Sequence, residues 1–441
     1  MVRIKQLATQ QAGIHLWSKK TAAMCPQPPT EIFRGIASWP DVHRDLADAA
    51  LSRLQLGDSQ AKLQKAGAAM GTASVKNKSF TCTLYSLDNK AYWGDGEDHW
   101  SVEKGDPMVT NPSAVVEFPG NKVRDVSGIL AKDSKNQPIP DFARDQAWDK
   151  FEKVYDFYRD VFKRNSIDNN GVEMRAIIHV GRGYDNAFWS PTKQVMFFGD
   201  AGRFDGRGWL LPTKQELDKD KEDKEHKRFT KLQNWFCNYD IDTICHELTH
   251  GVIGSTAKLG ETQSSAAAFS EAMTLNEHIA DCFAIMLKHR VNNHTAETGN
   301  WDFSPGCWSQ AVMDAKEPKS RWTENYLRTF RIPANPATSP DDGPKHWSKR
   351  RPFGGGRTGL DPHVNCGIAS HAFYLAARAL GGHTWEKLGQ VWYAALVDPA
   401  FALPENQTFL GWKKLTVEHA DKLYGANVKK VLEKAWADVG L

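Results

Sequence analysis

The sequence predicts an α+β fold: a β-rich region followed by a mainly α-helical one, with a short helical block ahead of both. Three observations predict it. From "SFTCTLYSLDNKAYW" to about residue 140, short alternating and aromatic runs are punctuated by Gly, Asn and Asp, the texture of strands and turns. After residue 241 the chain is helix-rich to its end, broken by a Pro- and Gly-rich loop from Ile332 to Pro362. At the N-terminus, "CPQPPTEIFRGIASWPDVHRDLADAALSRLQ" has a Pro-rich entry and then an amphipathic helical pattern.

The elements follow in order. Residues 1–76 form the first block, and residues 77–240 the β-rich region. Within the latter, Asp145 to Phe162 repeats apolar positions at helical spacing and reads as one amphipathic helix. "MRAIIHVG" and "QVMFFGD" read as two strands joined by a loop holding "YDNAFW". The run "KQELDKDKEDKEHKR" lies in a charged, solvated surface insertion at about 205–235. Residues 241–441 make up the helical region.

Composition narrows the function. With 41% hydrophobic and 25% charged residues over 441 positions, the chain can bury a large core. A net charge of +3 is too small to point to nucleic acid or an anionic membrane. The seven cysteines are odd in number and contain no CxxC pair, so no disulfide framework is expected. No apolar run reaches signal-peptide or membrane-spanning length. A soluble protein is expected, either cytoplasmic or exported by a non-standard route.

The chemistry concentrates in "CHELTHGV". On a helix His246 and His250, four apart, lie on one face and can direct their rings at one point. Glu247 is offset by one residue and reaches beside that point without occupying it. Two imidazoles and a third ligand hold zinc with one position open for water, and the spare glutamate can take the water's proton. Three fixed positions also occur by chance in ordinary helices, so the surrounding residues decide. On a second helix, "EAMTLNEHIADCFAIMLKH", Glu277 and Asp281 stand four apart. Glu277 can supply the third ligand, while Asp281 can bond the free ring nitrogen of a ligand histidine and fix its tautomer. A solvent-facing acidic pair is the alternative, but Ala280, Cys282, Phe283 and Ile285 make the flanks apolar.

"HELTHGV" followed by "NEHIAD" resembles the thermolysin-like neutral zinc metallopeptidases. "GYDNAFW", "LRTF", "KHWSKR" and "HVNCGIASHAFYL" are similar to further motifs of that family, in order, from about residue 145 to Leu441. The resemblance implies a zinc-dependent neutral endopeptidase in which zinc-activated water attacks the peptide carbonyl. It implies a zinc cleft between the β-rich and helical catalytic regions, with His246, His250 and Glu277 holding a single catalytic zinc ion. By the same resemblance Glu247 is the general base and proton shuttle, and His363 bonds the oxyanion. Arg328 grips a substrate carbonyl, and Asn186 with the backbone of Ala187 pairs with an extended peptide. Cleavage before a bulky hydrophobic residue is implied, with Thr243, Cys237 and Leu327 lining the pocket.

The chain also departs from the family pattern. A family tyrosine expected after the His250 helix has no match, and "KLGETQSS" offers Glu261 instead. The aspartate that precedes the active-site histidine is displaced, with Asp361 standing nearer. Glu271 would give a shorter ligand spacing than Glu277, but Leu275 stands where its partner acid would be. Asp242 matches a ligand of the family's double calcium site. Its partner glutamate is replaced by Lys288, and the later acidic run shrinks to "NWDFSPG". Calcium takes six to eight oxygens, so this site is expected to be absent and replaced by a salt bridge.

"CPQPP" before an amphipathic helix resembles the short propeptide of the protealysin-like branch. That implies a zymogen in which residues 1–76 inhibit the cleft; Cys25 is read first as a buried or free surface cysteine, with a thiolate reaching the zinc as the alternative. The expected partners are peptide or protein substrates and this propeptide, with no nucleic acid, no membrane and a monomeric chain. Family members are often extracellular. A second reading is a peptide-binding relative of the same fold that has lost turnover.

Overall fold

A computed structural model describes residues 80–87, 121–139, 141–180, 186–191, 193–199, 203–204, 209–210, 239–261, 265–305, 326–331, 343–353 and 362–441. The block 1–76 with Cys25, the residues Cys237 and Asp361, and the charged insertion apart from 209–210 lie outside the described residues.

Strands β1 (Cys82–Ser86), β2 (Asn121–Asp125), β3 (Gly128–Ile129), β4 (Met174–Ile178), β5 (Ala187–Ser190) and β6 (Val195–Phe198) build a six-stranded sheet. Its order is β3-β2-β1-β4-β6-β5, with β4 parallel to both β1 and β6 and the other neighbours antiparallel. The interior strands "MRAII" and "VMFF" are nearly continuous apolar runs because both faces of the sheet are covered. Helix α1 (Phe142–Phe162) supplies one cover, packing Phe151 edge-on against Phe198 at 6.1 Å between ring centroids. Its start is fixed by Asp141, whose carboxylate accepts the Arg144 N–H at 3.0 Å. Two short strands, β7 (Arg203–Phe204) and β8 (Trp209–Leu210), pair with each other.

The segment read as a loop holding "YDNAFW" contains a strand of its own. β5 is four residues long and entirely buried, so no alternation marks it in the sequence. It lies at the sheet's edge. Asn186 O accepts the Gly199 N–H at 3.0 Å, which makes Asn186–Gly199 a hydrogen-bonded pair. The polar backbone groups of Ala187 and Trp189, one and three residues on, therefore point away from β6.

The helical half runs α2 (Ile241–Ser255), α3 (Ala266–Val291), α4 (Pro362–Leu380), α5 (Lys387–Leu396), α6 (Phe409–Tyr424) and α7 (Ala426–Asp438). A small ribbon of β9 (Asp302–Phe303) and β10 (Arg328–Thr329) lies between α3 and α4 in sequence. Every residue from 272 to 289 is buried, so α3 is the central helix, packed against both α2 and α4. Around it sit Trp392, Trp412 and Trp436, all fully buried. Cys82, Cys245, Cys282 and Cys366 are free and buried. Among the described residues no helix is long and apolar enough to cross a membrane.

Glu271, the rival third ligand, has other work. Its Oε1 accepts the Phe409 N–H at 2.8 Å, at the first residue of α6, where backbone donors lack helical partners. Replacing it with alanine should lower unfolding stability by about 1 kcal/mol in urea titrations while leaving zinc content unchanged. Loss of zinc from that variant would return Glu271 to the ligand set.

Candidate metal centre

Helix α2 starts at Asp240, whose side chain accepts the Thr243 N–H at 2.7 Å. Its apolar side, Ile244, Leu248 and Val252, enters the core, and this places His246, Glu247 and His250 together on the opposite side, also buried. Gly251 allows the sheet to come close. A Cβ there would lie 2.9 Å from Ile167 and 3.0 Å from the Trp189 ring. That closeness lets the Trp189 N–H donate to Glu247 Oε2 at 3.0 Å, joining the outward face of β5 to the helix.

His246 Nε2 and His250 Nε2 stand 3.0 Å apart, and Glu277 Oε2 from α3 lies 3.1 Å from the first and 3.7 Å from the second. Among the described residues these three form the one cluster of His, Cys, Asp and Glu able to hold a metal ion. Each Nδ1 is engaged elsewhere: His246 with Asp281 Oδ1 and His250 with Asn276 Oδ1, both at 2.8 Å. Both acceptors fix the ring proton on Nδ1, so both Nε2 atoms present lone pairs to the same point as a carboxylate oxygen. A shared positive charge, a metal ion or in its absence a proton on His246 Nε2, stabilises such an arrangement. Zinc–nitrogen bonds of about 2.0–2.1 Å in a tetrahedron separate neighbouring ligand atoms by about 3.3 Å, and the three spacings bracket that value. Formal charge points the same way: Glu247, Glu277 and Asp281 are all buried, and of these Asp281 is paired with the Arg328 guanidinium.

Electrostatics tighten the cluster. Burial pulls the His246 imidazole down, but the hydrogen bonds it donates to the Asp281 and Glu277 carboxylates outweigh it and lift its pKa to about 9. For His250 burial prevails over the attraction of Glu277, and the pKa falls to about 4. Burial alone would raise Glu277, yet the charges of His363 and His250 hold it well below the usual carboxylate range. Asp281 is likewise held low against burial, chiefly by Arg328.

The other expected residues fall around this core. His363, on the first turn of α4, places Nε2 3.1 Å from Glu277 Oε2. Arg328 grips Asp281 through Nε at 2.6 Å and Nη2 at 2.5 Å, and lies 4.1 Å over the Phe303 ring. It thus braces the carboxylate that orients His246. Asn186 turns its side-chain oxygen onto the Ala187 N–H at 2.9 Å. Thr243 Oγ1 meets Ser304 Oγ at 3.3 Å, and Leu327 is partly buried. Glu261 stands on an exposed turn after α2. Lys288 Nζ lies 2.6 Å from Asp242 Oδ2 and also donates to the Asp302 carbonyl, while the Ser304 N–H donates to the same Asp242 oxygen at 2.9 Å.

Sequence reasoning missed Asn276. Its signal was present in "NEHIAD", where it directly precedes Glu277, but an asparagine inside a helix carries no distinctive pattern of its own.

Two histidines and a glutamate able to hold a metal ion, a buried carboxylate beside them and an edge strand that turns its backbone outward are the parts a metallopeptidase needs. Residues 64–207 match the family described as "Thermolysin metallopeptidase, catalytic domain", and residues 269–441 match "Thermolysin metallopeptidase, alpha-helical domain". Protease PrtS of Photorhabdus sp. (strain Az29) is 33% identical over 319 residues, 71% of this chain and 72% of that protein. An "Extracellular metalloprotease" of Pectobacterium carotovorum subsp. carotovorum is 30% identical over 334 residues, covering 74% and 78%. The solved precursor of protealysin, a metalloproteinase from Serratia proteamaculans, aligns with a TM-score of 0.59 at 26% identity over 94% of this chain and 98% of its own. The chain therefore belongs to the thermolysin family of zinc-dependent metalloendopeptidases, on its protealysin-like branch.

Removing an acceptor that fixes a ligand's tautomer typically costs about 10–100-fold in metal affinity. Asn276→Ala should therefore raise the zinc dissociation constant within that range in chelator competition, with the fold retained by circular dichroism. Wild-type affinity would exclude Asn276 from the site.

Proposed function

We propose that the chain hydrolyses internal peptide bonds at this centre, with His246, His250 and Glu277 as zinc ligands and Glu247 as the general base. The observation that carries the reading is the Glu247 carboxylate, held by the Trp189 N–H of the edge strand beside the histidine–glutamate cluster. Bound at the three ligand atoms, zinc would supply a Lewis acid that brings the pKa of water toward neutrality.

The chain's own residues do the rest. Glu247 takes the proton of the attacking water and delivers it to the leaving amine. An extended substrate adds beside β5, where Ala187 and Trp189 turn their backbone groups outward, and this mode reads main chain more than sequence. Asn186 shapes the start of that strand. Arg328, its fork oriented by Asp281, serves a substrate carbonyl beyond the cut. The His363 imidazole stabilises charge that develops only in the transition state. Cleavage before a bulky hydrophobic residue follows if Thr243 and Leu327 line the pocket with Cys237, and a peptide-library profile tests this.

We assign residues 1–76 as an inhibitory propeptide, 77–240 and 241–441 as the two catalytic halves, and the reach of the protealysin-precursor alignment supports this. Exposed Glu261 in place of the family tyrosine motivates a second reading, a peptide binder without turnover. One experiment separates these. Casein hydrolysis should vanish on zinc chelation and in Glu247→Ala, and only active preparations should lose Met1 on incubation. Undiminished proteolysis in that variant would remove the mechanism, and an inert wild-type protein would favour the second reading.

The Lys288–Asp242 pair is proposed to stand in for the family's double calcium site, because the ammonium lies between Asp242 Oδ2 and the Asp302 carbonyl where a cation would sit, with Asp242 Oδ1 buried and left without a hydrogen bond. A calcium chelator should leave the melting temperature unchanged, whereas Lys288→Met should cost about 3–5 kcal/mol by stranding a buried carboxylate. A drop of more than about 3 °C with the calcium chelator would count against the replacement.

A further inference from the structure

The residue after Glu277 on α3 is His278, whose side chain has no exposed surface. Two other helices engage its ring. Nδ1 lies 3.1 Å from Ser370 Oγ of α4, and Nε2 lies 3.3 Å from Trp392 Nε1 of α5. An indole N–H can only donate, so Nε2 must accept and Nδ1 carries the ring proton toward Ser370. The geometry alone fixes this tautomer.

The surroundings give no other reason for an imidazole. Trp392 and Trp412 lie edge-on to it at 6.4 Å and 6.3 Å, and Cys282 Sγ approaches to 3.6 Å. An apolar ring would fill that volume without the cost of burying two polar nitrogens. What the imidazole adds is direction. Apolar helix faces tolerate small rotations, whereas two hydrogen bonds to different helices fix one orientation.

That orientation matters at the next residue. Ser370 stands seven positions after His363, on the same face of α4. Helices α3 and α4 therefore meet at two rungs, Glu277 with His363 and His278 with Ser370, each at 3.1 Å. We propose that His278 is a positioning residue for the metal centre: by tying α3 to α4 and α5 it sets the rotation of α3, and so aims Glu277 at His246, His250 and His363. This rests on Glu277 being a zinc ligand.

The test is the zinc dissociation constant of metal-free protein, measured by chelator competition together with the melting temperature. The variants are His278→Phe, Trp392→Phe and Ser370→Ala, with Leu432→Ala as a core deletion in α7 that removes no hydrogen bond. His278→Phe should weaken zinc binding about tenfold and the two partner variants severalfold each. Leu432→Ala, at a similar loss of melting temperature, should leave the constant unchanged. Zinc constants within about twofold of wild type, or falling in step with melting temperature as in Leu432→Ala, would overturn the proposal. If His278→Phe does not fold, the Trp392→Phe and Ser370→Ala constants decide. A wild-type protein that binds no zinc would instead remove the metal reading beneath it.

Discussion

Two imidazole lone pairs and a carboxylate oxygen converge on one buried point, and much of the molecule is arranged to keep them there. Left to themselves, such acceptors repel. They stay together because His246 and His250 spend their ring protons on Asp281 and Asn276, and because α2 and α3 pack against each other with all three side chains buried. Asp281 is itself buried and is tolerated because Arg328 closes on it with two nitrogens. The series from Arg328 through Asp281 to His246 runs from the β9–β10 ribbon to the centre without passing through solvent. Along it the Arg328 guanidinium balances the Asp281 carboxylate, so that His246 is oriented by an acceptor whose own charge is already paired.

The same economy of contact links sheet to helices. Strand β5 is short and at the edge, yet one of its outward N–H groups is committed to Glu247. That bond requires the strand to lie almost against α2, which Gly251 permits. The residue assigned to proton transfer and the strand assigned to peptide binding are therefore positioned by one contact. Lys288 performs a comparable service at the first turn of α2, joining that helix, α3 and the ribbon through Asp242 and the Asp302 carbonyl.

Legibility in the sequence followed the range of the interaction. Helix α1 and the strands β4 and β6 were readable because periodicity is local, and the structure extends α1 by only three residues at its start. The clustering of His246 and His250 was readable because four-residue spacing puts them on one helix face before any tertiary contact forms. The four buried residues of β5 show no alternation, so the strand was legible only through the resemblance of "GYDNAFW" to the family's edge-strand motif. Asn276 escaped because its role exists only when α3 lies against α2. Arg328 was read as facing substrate alone, whereas its guanidinium also grips Asp281, forty-seven residues away in the chain.

What the sequence determined by itself was the class of chemistry. Helical spacing and side-chain type put two imidazoles and a carboxylate on one helix and a further ligand on the next, and these are properties of local geometry and of the atoms themselves. The Asp281 spacing already favoured Glu277 over Glu271 in the sequence, and what only the tertiary structure decided was what each acid touches and what holds Glu277 in aim. Glu277 and Glu271 lie six residues apart on one helix, and both are acids near an apolar run. The packing of α3 sends the first to the histidines and the second to the start of α6. The reason is physical: a carboxylate's role depends on which charges and donors surround it, and folding alone brings those together.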